Sequence, residues 1–250
     1  MRALIGHSGF IGGNLSRQSN FDAMFNSTNI DQLRGGDFDE IVCAAPAAEK
    51  WKANADPEGD ARSIARLETV LGETKARRFI LISTVDVYPH PRAVDERTEI
   101  DDSGAPYGRH RLRLERFVRE RFPDAIVLRL PGLFGPGLKK NALFDLIHDH
   151  QVERIDGRGV FQFYDVGNLT GDIQRCIDNG ISLINVATEP LPIADVAREI
   201  FGRELAAGSG EPPLYDVRTV HSAFWNRSGP YLYGRAEVLA QMKRFIEAQR

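Results

Sequence analysis

The chain has 250 residues, 42% hydrophobic and 27% charged, with a formal net charge of -3, as expected of a soluble globular protein able to bury a substantial core. That balance gives no general attraction to nucleic acid or an anionic membrane, and no apolar run approaches the roughly 20 residues that span a bilayer. The sequence opens directly on an apolar strand rather than a leader-like segment, so a cytoplasmic protein is expected. Cys43 and Cys176 lie in apolar runs and the six histidines show no ligand spacing. Two core thiols and no metal site follow.

Short apolar runs at residues 3–6, 23–26, 40–45, 79–83, 125–130 and 183–187 read as strands. Amphipathic stretches near 12–19, 58–74, 107–122, 139–151 and 169–179 alternate with them as helices, and helices near 193–205 and 235–249 close the chain. The runs are apolar throughout, which suits parallel strands covered on both faces. Strands alternating with helices predict an α/β fold with a doubly wound parallel sheet of Rossmann type. The connection after the first strand is short, so the second unit is trimmed. Residues 50–54 read as a loop and 161–165 as one amphipathic strand. The expected division is a dinucleotide-binding domain over 1–136, with a returning strand near 183–188, and a small C-terminal substrate-binding cap over 137–250.

The first motif that bears chemistry is Gly6-His7-Ser8-Gly9-Phe10-Ile11-Gly12. It leaves an apolar strand and enters a helix, the setting a dinucleotide fingerprint requires. Gly6 permits a tight turn, Gly9 lets a pyrophosphate approach the backbone, and Gly12 allows close packing of helix on strand. Free amides and the positive end of the helix dipole favour the phosphates. A purely structural strand-to-helix turn uses similar residues.

Together with that turn, four further segments resemble the extended short-chain dehydrogenase/reductases, the NAD-dependent epimerase/dehydratase family. Glu40-Ile41-Val42-Cys43-Ala44-Ala45 resembles the strand that passes beneath the cofactor. Leu81-Ile82-Ser83-Thr84-Val85-Asp86-Val87-Tyr88 resembles the strand presenting a catalytic hydroxyl. Pro106-Tyr107-Gly108-Arg109-His110-Arg111 resembles the Tyr-x-x-x-Lys helix, with Arg111 in place of the lysine. The segment from Leu128 to Gly137 resembles the strand and loop beside the nicotinamide.

The resemblance implies NAD or NADP as cofactor and Thr84, Tyr107 and Arg111 as the catalytic set, with Ser83 the neighbouring choice of hydroxyl. It implies cofactor contacts from Gly6, Ser8, Gly9, Phe10, Ile11, Gly12, Asn26, Ser27, Ala44, Ala45, Ser83 and Pro131. A phenol of ordinary pKa about 10 needs nearby positive charge to act as a base near neutrality. On a helix, Tyr107, Arg111 and Glu115 share one face. An arginine carries the charge but stays protonated, so it cannot join a proton relay. The same three residues also suit a packing tyrosine and a solvated ion pair. The end of the second strand, Phe25-Asn26-Ser27-Thr28-Asn29, lacks the acid that commonly holds an adenosine ribose, so the choice between NAD and NADP stays open.

Gly132 stands where relatives carry an asparagine that contacts substrate. Lys139 and Lys140 are candidates for a diphosphate, and Lys50-Trp51-Lys52 for a base or phosphate, each balanced by a surface role. The resemblance implies an NAD(P)-dependent oxidoreductase or epimerase acting on a sugar nucleotide, with a homodimer through Leu112, Phe117 and Val118 open. The alternative is a dinucleotide-binding protein with little or no catalysis, acting as a sensor or partner subunit.

Overall fold

In the structure, a computed structural model describing residues 1–46 and 49–249, the apolar runs form the expected sheet. β1 (Arg2–Ile5) pairs in parallel with β2 (Ala23–Phe25) on one side and β3 (Asp37–Cys43) on the other. β3 pairs in parallel with β4 (Lys75–Thr84). Ile126–Leu130 and then Leu183–Asn185 extend the six-stranded sheet beyond β4. The chain steps to one side of β1 for β2 and to the other for β3. That reversal opens a crevice at the carboxyl ends of β1 and β3, where open α/β sheets bind ligands.

The chain divides into two compact units. The first comprises Met1–His90, Glu99–Arg129 and Gly167–Ile184. Its helices include α1 (Phe10–Gln18), α2 (Lys50–Ala55), α3 (Pro57–Gly72) and α4 (Pro106–Arg121). Ile5, Cys43, Phe79 and Leu81 of the sheet pack against Ile64 and Val70 of α3 and Leu114 and Val118 of α4. Phe79 stacks on Phe122 with ring centroids 4.5 Å apart. Leu112 and Val118 are buried within this unit itself, and both cysteines are buried and free.

The second unit comprises Pro91–Thr98, Leu130–Val166 and Asn185–Arg250. Short two-stranded pairings build it: Gly132–Phe134 with Phe163–Asp165, Val160–Phe161 with Leu191–Pro192, and Arg92–Val94 with Asp216–Val217. The carboxylate of Glu96 accepts from Asn185 N (2.7 Å), Thr219 Oγ1 (2.5 Å) and Val220 N (2.9 Å), tying three segments together.

Several local expectations are corrected. Residues 161–165 are two strands in different pairs, because Gln162 turns its buried amide onto Thr188 O, Val217 O and Val217 N. The expected loop at 50–54 is helix α2. The helix expected over 139–151 runs only over Ala142–His148, since the Asn141 side chain accepts from Phe144 N and caps it. Lys139 and Lys140 therefore precede that helix. Between β2 and β3 stands a single turn, Ile30–Leu33, whose Ile30 and Leu33 reach the same core as α3. Among the described residues no helix is long and apolar enough to cross a membrane.

Candidate active site

The peptide that opens the glycine turn is held from both neighbouring strands. Gly6 N donates to Phe25 O (2.7 Å), and Ala44 N donates to Ile5 O (2.9 Å). Gly6 adopts φ +87°, and a Cβ on Gly12 would stand 2.1 Å from Gly6 O. Only glycine lets α1 sit this close to the loop. Ser8 and Gly9 are exposed, and no side chain caps α1. The amides of its first turn are therefore left to an outside acceptor, for which an anion is suited. The residues present fit a dinucleotide pyrophosphate.

At the end of β2 the Asn26 carboxamide is already organised. Its Oδ1 accepts from Thr28 N (2.9 Å) and Thr28 Oγ1 (2.6 Å), and its Nδ2 meets His7 Nε2 at 3.2 Å. Arg66 of α3 reaches the same turn, donating to Ser27 O (3.2 Å) and to Asp31 (2.5 Å). No arginine stands in the loop itself; Arg66 comes from an element 39 residues further along the chain.

One small cavity brings Ile11 of α1 and Ala44 and Ala45 after β3 together with Ser83 and Thr84 at the end of β4. Tyr107 and Arg111 of α4 line the same cavity. The approach of α4 depends on Gly108, where a Cβ would lie 2.0 Å from Asp86 O. The first turn of α4 is held further by Asn54 of α2, whose Oδ1 accepts from Tyr107 N (3.0 Å). Lys50 of α2 binds Asp86 at 2.7 Å. The segment expected to be a loop thus supplies two supports for the tyrosine.

Tyr107 is buried, and burial pushes its phenol above the ordinary tyrosine range. Arg111 opposes that shift, Asp86 adds to it, and a hydrogen bond from Thr84 and the charge of Lys50 oppose it. The Arg111 guanidinium carbon lies over the Tyr107 ring, 4.3 Å from its centroid. Its Nη1 donates to Asp60 Oδ2 at 2.6 Å, and His110 Nδ1 meets the same oxygen at 2.8 Å. Arg111 and Glu115 are therefore buried with separate partners rather than forming a solvated pair. Glu115 accepts from Ser83 Oγ (2.5 Å) and from Arg129 Nη2 (2.6 Å). Ser83 is thereby held by a carboxylate, while Thr84 is the hydroxyl beside the phenol.

Asp60, Asn54 and Arg66 join the site without being legible in the sequence. None carries a local motif, and each acts across the fold. Pro131 falls in the second unit, buried before the strand Gly132–Phe134.

The comparisons with known proteins agree with this architecture. No curated protein matches the sequence. TunA, an NAD dependent NDP-hexosamine 5,6-dehydratase of tunicamycin biosynthesis, is similar in structure with TM-score 0.76 and 18% identity, covering 100% of this chain and 98% of that one. A dTDP-4-dehydrorhamnose reductase from Clostridium acetobutylicum is similar with TM-score 0.75 and 14% identity, covering 100% and 99%. RMD from Pseudomonas aeruginosa, complexed with NADPH, is similar with TM-score 0.70 and 17% identity, covering 100% and 99%. At these identities the likeness is one of fold. Residues 20–155 match the family described as NAD dependent epimerase/dehydratase. More than half of the sequence lies in that match, and the chain belongs to the NAD dependent epimerase/dehydratase family.

Proposed function

We propose that this chain is an NAD(P)-dependent oxidoreductase or epimerase acting on a nucleotide sugar or a related hydroxyl or carbonyl compound, with Tyr107 as its acid/base. The observation that carries the reading is the shared cavity. Tyr107 and Thr84 line it together with Ile11 of the glycine turn and with Ala44 and Ala45, which follow the strand beside it.

A bound nicotinamide would accept or donate hydride at the reacting carbon. The chain's own residues then have separate tasks. The Gly6–Gly12 turn and the start of α1 hold the dinucleotide phosphates. The Tyr107 phenol exchanges a proton with the reacting oxygen, and Thr84 donates a hydrogen bond to that oxygen as charge builds on it. Arg111 places positive charge at the ring of Tyr107. Pro131 is proposed to border the nicotinamide, and the second unit to carry the sugar-nucleotide pocket.

The test has two parts. Thermal melting with NAD, NADH, NADP and NADPH should show stabilisation of about 2.7 kcal/mol at roughly 100 times the dissociation constant. The Tyr107→Phe variant should keep cofactor affinity within a few-fold and lose turnover on nucleotide sugars. Unchanged turnover in that variant would remove Tyr107 from the chemistry.

A further inference from the structure

Asp60 is a buried carboxylate beside the candidate site to which the proposed chemistry gives no task. Asp60 lies in the first turn of α3, with a side chain only 9% exposed. A single one of its oxygens, Oδ2, takes both Arg111 Nη1 at 2.6 Å and His110 Nδ1 at 2.8 Å. A carboxylate only accepts, so the His110 proton on this side sits on Nδ1. Arg111 has a side chain only 6% exposed and lies over the Tyr107 ring.

We propose that Asp60 is a positioning residue of this site: its buried carboxylate holds Arg111 over the ring of Tyr107 and thereby fixes the cation that acts on the phenol's proton. The inference rests on Tyr107 being the acid/base. An arginine is long and has several rotatable bonds, so its guanidinium reaches one particular place only when a partner holds it there. The bond to Asp60 is a charged hold on that place. It also sets a carboxylate beside the cation, which weakens the cation's pull on the phenol.

The groups around the phenol come from four elements. Arg111 belongs to α4, Thr84 ends β4, Asp86 lies in the turn after it, and Lys50 reaches in from α2. Asp60 and His110 stand behind Arg111 from α3 and α4. Two substitutions at Asp60 separate its two effects. Asparagine keeps one carbonyl oxygen able to accept both bonds but removes the negative charge. Alanine removes the bonds as well.

The experiment is a spectrophotometric titration of tyrosinate, with the Tyr107 contribution isolated by subtracting the matching Tyr107→Phe protein. In Asp60→Asn the cation stays in place without its counter-charge, and the Tyr107 midpoint should fall by about one pH unit. In Asp60→Ala the guanidinium loses its carboxylate partner, and the midpoint should rise, as it should in Arg111→Met, where the cation is absent. Movement of Asp60→Asn upward together with Arg111→Met would overturn the proposal, and so would an unmoved midpoint in Asp60→Ala. If Asp60→Ala does not fold, the opposed shifts of Asp60→Asn and Arg111→Met still decide it. The titration needs neither cofactor nor turnover. An active Tyr107→Phe enzyme would therefore refute the proposed function without touching this result.

Discussion

Glu115 and Arg129 form a two-pronged ion pair in the interior of the first unit, with side chains only 2% and 5% exposed. Arg129 Nη2 donates to Glu115 Oε2 at 2.6 Å, its Nε lies 3.1 Å from both carboxylate oxygens, and its Nη1 donates to Tyr88 OH at 2.8 Å. The Ser83 hydroxyl donates into the same carboxylate. Removing one member strands the other charge away from water. Glu115→Ala should therefore destabilise the protein by about 3–5 kcal/mol, read as a lower urea midpoint. Ser83→Ala, which removes one bond from a carboxylate that keeps its arginine, should lose only about 1–2 kcal/mol. Equal losses from the two variants would contradict this division.

The neutral end of β2 gives a prediction about cofactor choice. Asn26 and His7 meet there, and Arg66 reaches the Ser27 carbonyl. If the adenosine ribose rests at this turn, as proposed, Asn26→Asp sets a carboxylate against a 2′-phosphate. Affinity for NADP should fall by at least about tenfold, or 1.4 kcal/mol, while that for NAD holds or improves. Calorimetric titration with both cofactors measures the ratio, and an unchanged ratio would move the adenosine ribose away from this turn.

Gly108 has no room for a side chain, since its Cβ would fall on the carbonyl of Asp86. Gly108→Ala must push α4 off the turn that follows Thr84. The expected outcome is a folded protein whose kcat drops by about a hundredfold, with cofactor binding little changed, because the glycine turn is untouched.

The direction of the Tyr107 shift sets a pH dependence. Burial outweighs Arg111 and keeps the phenol protonated past its ordinary value of 10.0. A protonated phenol is a proton donor. With Tyr107 as the proposed acid/base, carbonyl reduction should not decline through its ionisation until the pH passes that value, whereas alcohol oxidation, which would need the phenolate, should still be rising there. A pH–rate profile in both directions checks the sign.

Burial pushes the thiols of Cys43 and Cys176 up to about 12. The reactive thiolate is then scarce at pH 8. The native protein should react with a thiol reagent no faster than it unfolds, and addition of denaturant should expose both sulfurs.

Much of this site was legible in sequence because it is local. Three glycines in seven residues after an apolar strand identify the turn. The one-turn spacing of Tyr107 and Arg111 identifies the helix face. What the sequence hides comes from elsewhere in the chain. Asp60 lies 51 residues before Arg111, and Arg66 lies 39 residues after Ser27. An acid on an amphipathic helix looks solvated until a buried cation meets it. Gln162 misled for a related reason: among aromatic neighbours it looks like the polar step of an alternating strand, when its amide is bound to backbone from two other segments.

That amide has a consequence for how the second unit tolerates change. Thr188 and Val217 arrive from 26 and 55 residues downstream, and both terminate on one side chain. Between them the chain is tied back to the same unit, with Gly157 N donating to Ala206 O (2.8 Å) and Gly208 N to Asp156 Oδ1 (2.9 Å). Trimming Gln162 to asparagine, a single methylene shorter, should let go of Thr188 and Val217 together while those ties remain.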